Sequence, residues 1–431
     1  MAQLHNNFSD DQVKQYLGWY IDGSMSRDDI CNYLGIRRSR FYELLTKYKA
    51  DPLKFSVVYG RDYANRKKDR AVTVAIRKEL ELEKSFIDNP NMPIMFYNYA
   101  SIRDAVADAT GSNLTAQTVI NYAKKWGFYI ERPKRRNGHT REVLTDMVGM
   151  LLQHDASLHQ WSPYVFQSNG KPLKWSLITT IDDHSRKLLY ANLFEHESSW
   201  AHIQSTESVV MEYGVGLQYY SDNHAIFRYV SNRDANGLSA SNYTRVLGTD
   251  DVVPQWRQCV EATGMKVAYA LSPEAKGKIE RPYRWLQDRI VRRAAREHAR
   301  GIEAVRLILS QEVDRYNNRQ VHSTTGEIPS VRFLNAINDG RTVFKPLDVN
   351  KAKPPVTSTK DIFCLRTERK VNGYGQISIA GTQLSVPGHW PDGTVIALHI
   401  IPEQALTEIR FLKQDVVLGY QQIETPKAFR F

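Results

Sequence analysis

The stretch from Ser272 to Arg293 combines one carboxylate with a cluster of cations on a predicted helix. Its sequence is S-P-E-A-K-G-K-I-E-R-P-Y-R-W-L-Q-D-R-I-V-R-R, and apolar residues recur in it at helical spacing, at Ile279, Tyr283, Leu286 and Ile290. Glu280 lies off that stripe, and its basic neighbours are Lys276, Lys278, Arg281 and Arg284. One interpretation is a solvated helix face with ordinary ion pairs. The other is a metal-binding glutamate beside cations that hold the phosphates of a polyanion.

Two further carboxylates are predicted to lie near strand ends. Asp155 lies near the first predicted strand of a β-rich region, and Asp222 lies at the end of a later one. Together with Glu280 they could hold two hard divalent cations, with phosphate oxygens of a substrate completing the coordination. Such a pair of ions supports in-line phosphoryl transfer, because one activates a water or a 3′-hydroxyl and the other stabilises the leaving oxygen. On composition alone the signal is weak, since any α/β domain carries carboxylates at strand ends.

Other polar residues near these three are predicted to be structural. Asp182 and Asp183 lie in a predicted hairpin turn, where aspartate is common because its side chain bonds to the turn backbone. His154 and His159 flank Asp155, and we expect them to pack or to form hydrogen bonds rather than to bind metal. Lys276 and Lys278 are candidates for phosphate binding, with a solvated charge as the open alternative.

The charge of the chain indicates a polyanionic partner. The 431 residues carry a formal net charge of +11, concentrated in 134–141 and 276–300, which is typical of a nucleic-acid-binding surface. No free apolar face accompanies the charge, which argues against a membrane-surface helix. Cys31, Cys259 and Cys364 are too few and too far apart for a disulfide framework or a cysteine-based zinc site. With no membrane-span or signal-peptide pattern, we expect a cytoplasmic protein.

The N-terminal region has the pattern of a helix-turn-helix domain, predicted at residues 1–55. Ser26 caps a short helix, Gly35 makes a turn, and a second helix opens with basic residues. We expect Arg37, Arg38 and Arg40 to reach a DNA groove. A plain three-helix bundle without DNA binding is the alternative.

The next region, residues 56–137, is predicted to hold a linker and a second helix-turn-helix module at 99–128. A helix, a glycine-containing turn and a capped helix ending in Lys124-Lys125 repeat the first pattern. The basic segment 131–141 then leads to the next domain, where it could lie along a phosphate backbone. We expect a fragment of residues 1–137 to bind DNA ends by itself.

From Gln153 the pattern changes to strands alternating with helices, which predicts an α/β domain with a mixed sheet at residues 138–340. Trp161 and Trp175 are predicted to be core residues. Residues 341–431 show short alternating strands separated by Gly and Pro turns, which predicts a small β-barrel as a C-terminal domain.

Four sequence stretches resemble the DDE transposases of bacterial insertion sequences, and within them the ISNCY-like group. They are Q-H-D-A-S-L-H-Q-W, L-I-T-T-I-D-D-H-S-R, Y-Y-S-D-N-H-A-I-F-R and S-P-E-A-K-G-K-I-E-R-P-Y-R-W-L-Q-D-R. The resemblance covers about 153–333 and extends more distantly to retroviral integrases. It implies a ribonuclease H-like, integrase-type catalytic core in which Asp155, Asp222 and Glu280 form the catalytic, metal-binding triad.

The resemblance also implies a cofactor and partners. Two Mg²⁺ ions, with Mn²⁺ as a substitute, would serve the cleavage and joining of double-stranded DNA at the terminal repeats of a mobile element and at its target. A homo-oligomer in complex with DNA in a bacterial cytoplasm, without membrane contact, is implied as well. Two departures stand out: Asp222 and Glu280 are 58 positions apart, longer than in integrases, and Pro282 follows the glutamate. Because proline is tolerated in a first turn, we expect the helix to begin close to Glu280.

Two other functions compete with an active transposase. A catalytically inactive or domesticated DNA-binding regulator would share the N-terminal modules but would not need the triad. A structure-selective nuclease of the ribonuclease H type would not need two helix-turn-helix modules.

Overall fold

The computed structural model describes residues 4, 7–57, 69–131, 145–222, 224, 226–227, 253–270, 277–351 and 355–425, with the backbone alone at 277–281 and 351. The chain divides into two compact units, Met1–Ala75 and Ile76–Phe431. The predicted linker after residue 58, most of the basic segment 131–141, and Lys276 lie outside the described residues. The bounds of the four predicted domains stay predictions.

The first unit is built on three short helices, as predicted. They are α1 (Asp10–Ile21), α2 (Arg27–Leu34) and α3 (Arg38–Ala50). Ser9 and Ser26 cap the first two through bonds to backbone N–H groups, and Gly35 ends α2 in the left-handed conformation at φ 63°. The apolar stripes of the helices meet in one core, whose fully buried members are Val13, Leu17, Ile30, Phe41 and Leu44.

A fourth helix, α4 (Arg70–Ile87), crosses the division between the units, and two more helices follow in the second unit. These are α5 (Tyr99–Thr110) and α6 (Ala116–Lys125). Gly111 ends α5 with φ 66°, and the Thr115 side chain accepts a hydrogen bond from the backbone N–H of Thr118 at the start of α6. Two capped helices joined by a turn are therefore present within 99–128, and their role as a helix-turn-helix module stays a prediction.

A five-stranded mixed sheet forms the middle of the second unit and confirms the predicted α/β pattern. Its strands are β1 (Leu152–His159), β2 (Trp175–Asp182), β3 (Leu188–Phe194), β4 (Gln218–Ser221) and β5 (Lys266–Tyr269). They are ordered β3-β2-β1-β4-β5, with β1 to β3 antiparallel and with β4 and β5 parallel to β1. Every residue of β2 is buried, as expected for a strand covered on both faces.

Helices cover this sheet and bury its two faces. They are α7 (Ser199–Tyr213), α8 (Gln255–Ala262), α9 (Gly277–Arg296), α10 (Ile302–Asn318) and α11 (Pro329–Asn338). The aromatic core around Trp200, Tyr219 and Trp256 belongs to α7, β4 and α8. A second core contains Trp161, Trp175 and the stripe of α9 at Tyr283, Leu286 and Ile290. Both tryptophans are buried, as predicted.

The C-terminal region is β-rich, as predicted, but its described residues form no closed barrel. After α12 (Thr359–Ile362) come β6 (Leu365–Lys370), β7 (Gln376–Ile379), β8 (Thr382–Ser385), β9 (Val395–Pro402), β10 (Leu406–Lys413) and β11 (Val416–Glu424). An antiparallel sheet of order β11-β10-β9-β6 stands beside a separate β7-β8 hairpin. The hairpin packs Ile377, Ile379 and Leu384 against Leu398 and Phe411 of that sheet. The apolar residues are thus buried by stacking two open layers, so burial does not require closure.

No helix in the described ranges is both long enough and apolar enough for a membrane span.

Candidate active site

Asp155 and Asp222 lie on neighbouring parallel strands. Strand β1 pairs with β4 through Gln153 opposite Tyr220. Two positions further along each strand come Asp155 and Asp222, the latter directly after β4. Positions level with each other in parallel strands face the same side of a sheet. The structure therefore brings these two predicted residues to one place, where both side chains are partly exposed.

Glu280 lies in the first turns of α9, and only its backbone is described. Three positions later the Tyr283 hydroxyl donates to the main-chain carbonyl of Asp155 and accepts from Thr179 Oγ1 at 2.9 Å. Burial raises the pKa of Tyr283, so the hydroxyl keeps its proton. This contact joins the helix of Glu280 to the strand of Asp155.

The expected start of this helix was wrong. The helix α9 begins at Gly277, so Pro282 occupies its sixth position instead of its first turn. Proline has no N–H to donate to the carbonyl four residues earlier, and the helix continues because the following residues are held by the core at Tyr283 and Leu286.

A carboxylate that the sequence did not single out, Glu197, stands near Asp222. It precedes the α7 N-cap Ser198, and its Oε1 lies 3.1 Å from His202 Nε2 and 3.8 Å from Nδ1 of His224. Burial acts to raise the pKa of Glu197, but the hydrogen bond with His202 and the charges of His202 and His224 together outweigh it, and the pKa is lowered. The charges of Glu197 and Asp222 act on each other, since Asp222 opposes the lowering. The sequence did contain a signal for Glu197 as a candidate site residue, because this glutamate lies between the end of a strand and the cap of a helix.

The two histidines beside Asp155 are structural, as predicted. His154 is buried, 2.9 Å from Thr180 Oγ1 and 2.8 Å from His202 Nδ1, and it stacks on Trp256. His159 lies 3.2 Å from the Gln287 amide, and burial lowers its pKa. His202 continues the contact from His154 to Glu197, so a row of polar groups runs through the core next to β1.

The turn aspartates are structural as well. Asp182 accepts from the backbone N–H groups of Gly149 and Ser185 at 2.9 and 2.8 Å. Asp183 accepts from the Gln153 amide and from the Arg186 guanidinium. Both carboxylates are fully buried and fasten the β2–β3 turn to the start of β1. Burial raises the pKa of Asp182.

The predicted DNA-contacting residues divide into two sets. Arg37 and Arg38 are exposed at the start of α3, Arg38 stands over the Tyr42 ring, and Arg40 pairs with Glu43 at 2.7 Å. On the other unit Arg284 is exposed on α9. The side chains of Lys276, Lys278 and Arg281 lie outside the described part.

The described side chains contain no group of three or more His, Cys, Asp or Glu residues arranged to hold a metal ion. The Glu280 side chain is not among those described. Two carboxylates level with each other at a strand end are the hard oxygen ligands that Mg²⁺ prefers, so the donor chemistry of Asp155 and Asp222 fits such an ion.

Two proteins of known description are similar to this chain in sequence. A Sinorhizobium fredii protein described as a transposase, y4bF, is 27% identical over 216 residues, which are 50% of this chain and 43% of that protein. The transposase for insertion sequence IS1202 of Streptococcus pneumoniae is 23% identical over 284 residues, 65% of this chain and 50% of that protein. This chain resembles bacterial transposases. The predicted resemblance is confirmed, and no family model matches. The chain spans about half the length of these relatives or less.

Solved structures with some similarity are retroviral. The HTLV-2 integrase catalytic core domain in complex with magnesium matches 45% of this chain and 99% of its own, at 12% identity and a TM-score of 0.30. The simian T-cell lymphotropic virus intasome in complex with the PP2A regulatory subunit B56 gamma matches 75% and 92%, at 12% identity and a TM-score of 0.33. TM-scores of this size carry no inference about this chain.

Proposed function

We propose that this chain is a DDE transposase that binds the terminal repeats of its mobile element and cuts and joins DNA. The observation that carries the proposal is the level position of Asp155 and Asp222 on neighbouring strands, in a chain similar to transposases. The strand order β3-β2-β1-β4-β5 is in keeping with a ribonuclease H-like core. Glu280, on the helix bonded to Asp155 through Tyr283, completes the triad.

Each group has a role in this mechanism. Asp155, Asp222 and Glu280 would hold two Mg²⁺ ions, with Mn²⁺ as a substitute, by carboxylate oxygens. When bound, the ions would activate the attacking hydroxyl and stabilise the leaving oxygen of an in-line phosphoryl transfer. The cations Lys276, Lys278, Arg281 and Arg284 would hold the DNA backbone beside the triad.

Recognition of the DNA is assigned to the helical modules. We place the α3 arginines in a DNA groove and the exposed basic end of α6 on phosphates, which gives a bipartite site on double-stranded DNA. A homo-oligomer would bring two element ends and the target together.

The deciding experiment incubates the full-length protein with Mg²⁺ and a duplex that carries the flanking ends of its own gene. Wild type should produce a cut at a defined position, and Asp155→Asn, Asp222→Asn and Glu280→Gln should each lose about three powers of ten in rate. DNA binding should persist or tighten, because removing an anion reduces repulsion from phosphate. Glu297→Gln, an exposed carboxylate that follows α9 and bonds to Arg293, is the matched control and should cleave normally.

Lys276→Ala should give the opposite profile, with weaker binding near the cut and a smaller loss of rate. If wild type bound end DNA tightly but never cut it in Mg²⁺ or Mn²⁺, the inactive-regulator alternative would replace this proposal.

A further inference from the structure

The helices α4 and α5 contact α9 and α10 through charged side chains within the second unit. On the α4–α5 side the contact uses Glu79, Glu83, Asn98, Asp104 and Asp108. On the other side it uses Asp288, Arg289, Arg292, Arg296 and Arg315. We call these ten residues the docking interface.

The centre of the docking interface is buried. Glu83 is 1% exposed, Arg289 3% and Arg292 4%. Arg292 bonds to Glu83, to Asp288 and to the carbonyl of Phe96, and Arg289 pairs with Asp104 at 2.5 Å. An apolar contact of Phe86 and Ile94 with Val291 and Ala295 lies beside them. Removing one partner of such a buried pair would leave an uncompensated charge in the interior, so the two sides fit together only in the arrangement that pairs these charges.

Two of these arginines are therefore interior residues, although composition places them in a basic DNA-binding stretch. Arg289 and Arg292 are occupied by carboxylates of α4 and α5 and do not reach a phosphate. Exposed polar side chains of the second module include Gln117, Lys124 and Lys125 of α6, none of which belongs to the docking interface. A duplex held by α6 would therefore be bound to a part of the protein that is joined to α9.

We propose that the docking interface makes α5 and α6 a rigid extension of α9. The DNA held on α6 is then set at a fixed distance from the triad, and this distance selects the cut position. Arg289, Arg292 and Glu83 are positioning residues in this view, because they act through the module and not on the reacting atoms. The inference rests on the proposed function.

Covalent locking tests rigidity in the full-length protein. Asp108 and Arg319 are 50% and 61% exposed, with side-chain atoms 3.8 Å apart across α5 and the end of α10. Asp108→Cys with Arg319→Cys is made in a Cys31→Ser background, since the two remaining cysteines are buried. A short bis-maleimide should bridge the pair in high yield, and the bridged protein should cut end DNA at the same position within about threefold of the unbridged rate. The single-cysteine proteins, treated alike, are the controls.

Loss of cutting in the bridged protein, with normal cutting in both controls, would show that the module must leave α9, and the proposal would be overturned. A low bridging yield would overturn it as well, and that readout does not depend on activity. If the unbridged wild type cut no DNA, the proposed function would fail separately. The bridging yield, which needs no activity, would then still test the rigidity.

A second set of variants separates positioning from DNA contact. Arg292→Met should spread the cut over several positions and lower cutting at the correct one at least tenfold, with a reduced bridging yield. Adding Glu83→Leu should restore a single cut position, because an apolar pair replaces the buried ion pair. Arg293→Met is the matched control, since Arg293 bonds to Glu297, Glu312 and Gln311 outside the module. If the double variant stayed as defective as Arg292→Met, a direct role of Arg292 would replace the positioning role.

Discussion

The Tyr283 hydroxyl donates a hydrogen bond to the main-chain carbonyl of Asp155, at 2.5 Å. The same oxygen accepts from Thr179 of β2. One phenol thus joins helix α9 to two adjacent strands of the sheet, and its contact on β1 is the backbone of Asp155, a proposed metal ligand. The backbone of Glu280 is one turn away on that helix, so the bond connects two members of the proposed triad through the main chain.

Tyr283→Phe should keep the ring in its core and remove the two bonds. We expect a loss of about 1–2 kcal/mol in the free energy of unfolding. Metal-dependent cleavage should fall by about tenfold to a hundredfold, as for other groups that orient metal ligands. Urea unfolding and single-turnover cleavage measure the two effects. Tyr164→Phe is the control, because the Tyr164 hydroxyl also donates to a carbonyl, that of Ala295 at the other end of α9. It should lose similar stability and little activity, and equal losses of activity would contradict the role of Tyr283.

Glu197→Gln should impair cleavage although the residue belongs to no recognised motif. The change removes a negative charge that acts on Asp222 and weakens the contact with His202. We expect cleavage to fall about tenfold to a hundredfold, together with a higher Mg²⁺ concentration for half-maximal rate. Titrating cleavage against Mg²⁺ measures both. Glu195→Gln, an exposed neighbour in the same loop, should match wild type. An unchanged Mg²⁺ dependence in Glu197→Gln would remove Glu197 from the site.

Replacing Arg38 and Arg40 with alanine should weaken the binding of end DNA and leave the fold intact. Their contacts with Tyr42 and Glu43 are at the surface, where such pairs contribute about 1 kcal/mol or less. If each arginine neutralises one phosphate, the slope of log K against log salt should become shallower by about two. Fluorescence anisotropy over a salt series measures this slope in the full-length protein. Lys14→Ala on α1 is the control, and an unchanged slope in the double variant would exclude α3 as the recognition helix.

The stability of the docking interface should depend on pH through Glu83. Burial raises the pKa of Glu83 to about 7, against the attraction of Arg292. The folded state therefore binds a proton that the unfolded state has released, and stability falls as pH rises from about 4.5 to 7. The side chain of Glu83→Gln does not titrate. The free energy of unfolding of wild type should therefore fall by up to about 3 kcal/mol relative to that of the variant between pH 5 and pH 8. Denaturant unfolding of both proteins at the two pH values measures the difference. A constant difference would mean that Arg292 keeps Glu83 ionised throughout.

Local signals in the sequence predicted most of the elements. The capping serines Ser9 and Ser26 and the left-handed Gly35 and Gly111 are where their chemistry requires them, and the strands of the sheet follow their apolar runs. Register between strands that are far apart in sequence was not predictable from the chain alone. Strand ends alone gave only a weak reason to group Asp155 with Asp222, and the resemblance implied that they share a site.

The predictions that were wrong or incomplete share a physical cause. In each case the observed structure depends on contacts with residues that are distant in sequence. The carboxylates that occupy Arg289 and Arg292 lie 185 and 209 positions away, so a count of cations could not separate interior arginines from a DNA-binding surface. The helix of Pro282 continues because of core contacts that a propensity rule omits. Closure of the C-terminal strands also depends on which layers stack, and alternation of apolar residues fits a barrel and two stacked layers equally well.

Helix α9 makes one contact with β1 at Tyr283 and another with α4 at Arg292. The nine positions between them amount to about two and a half turns at ~3.6 residues per turn, which puts the two contacts on opposite sides of the helix. Inserting a single residue between them would rotate one contact by about 100° around the helix axis relative to the other, so both contacts could no longer form together. An insertion of seven would nearly restore the phase but lengthen the helix by about 10 Å. Chains that share this arrangement should therefore vary in length before or after this segment and keep its length constant.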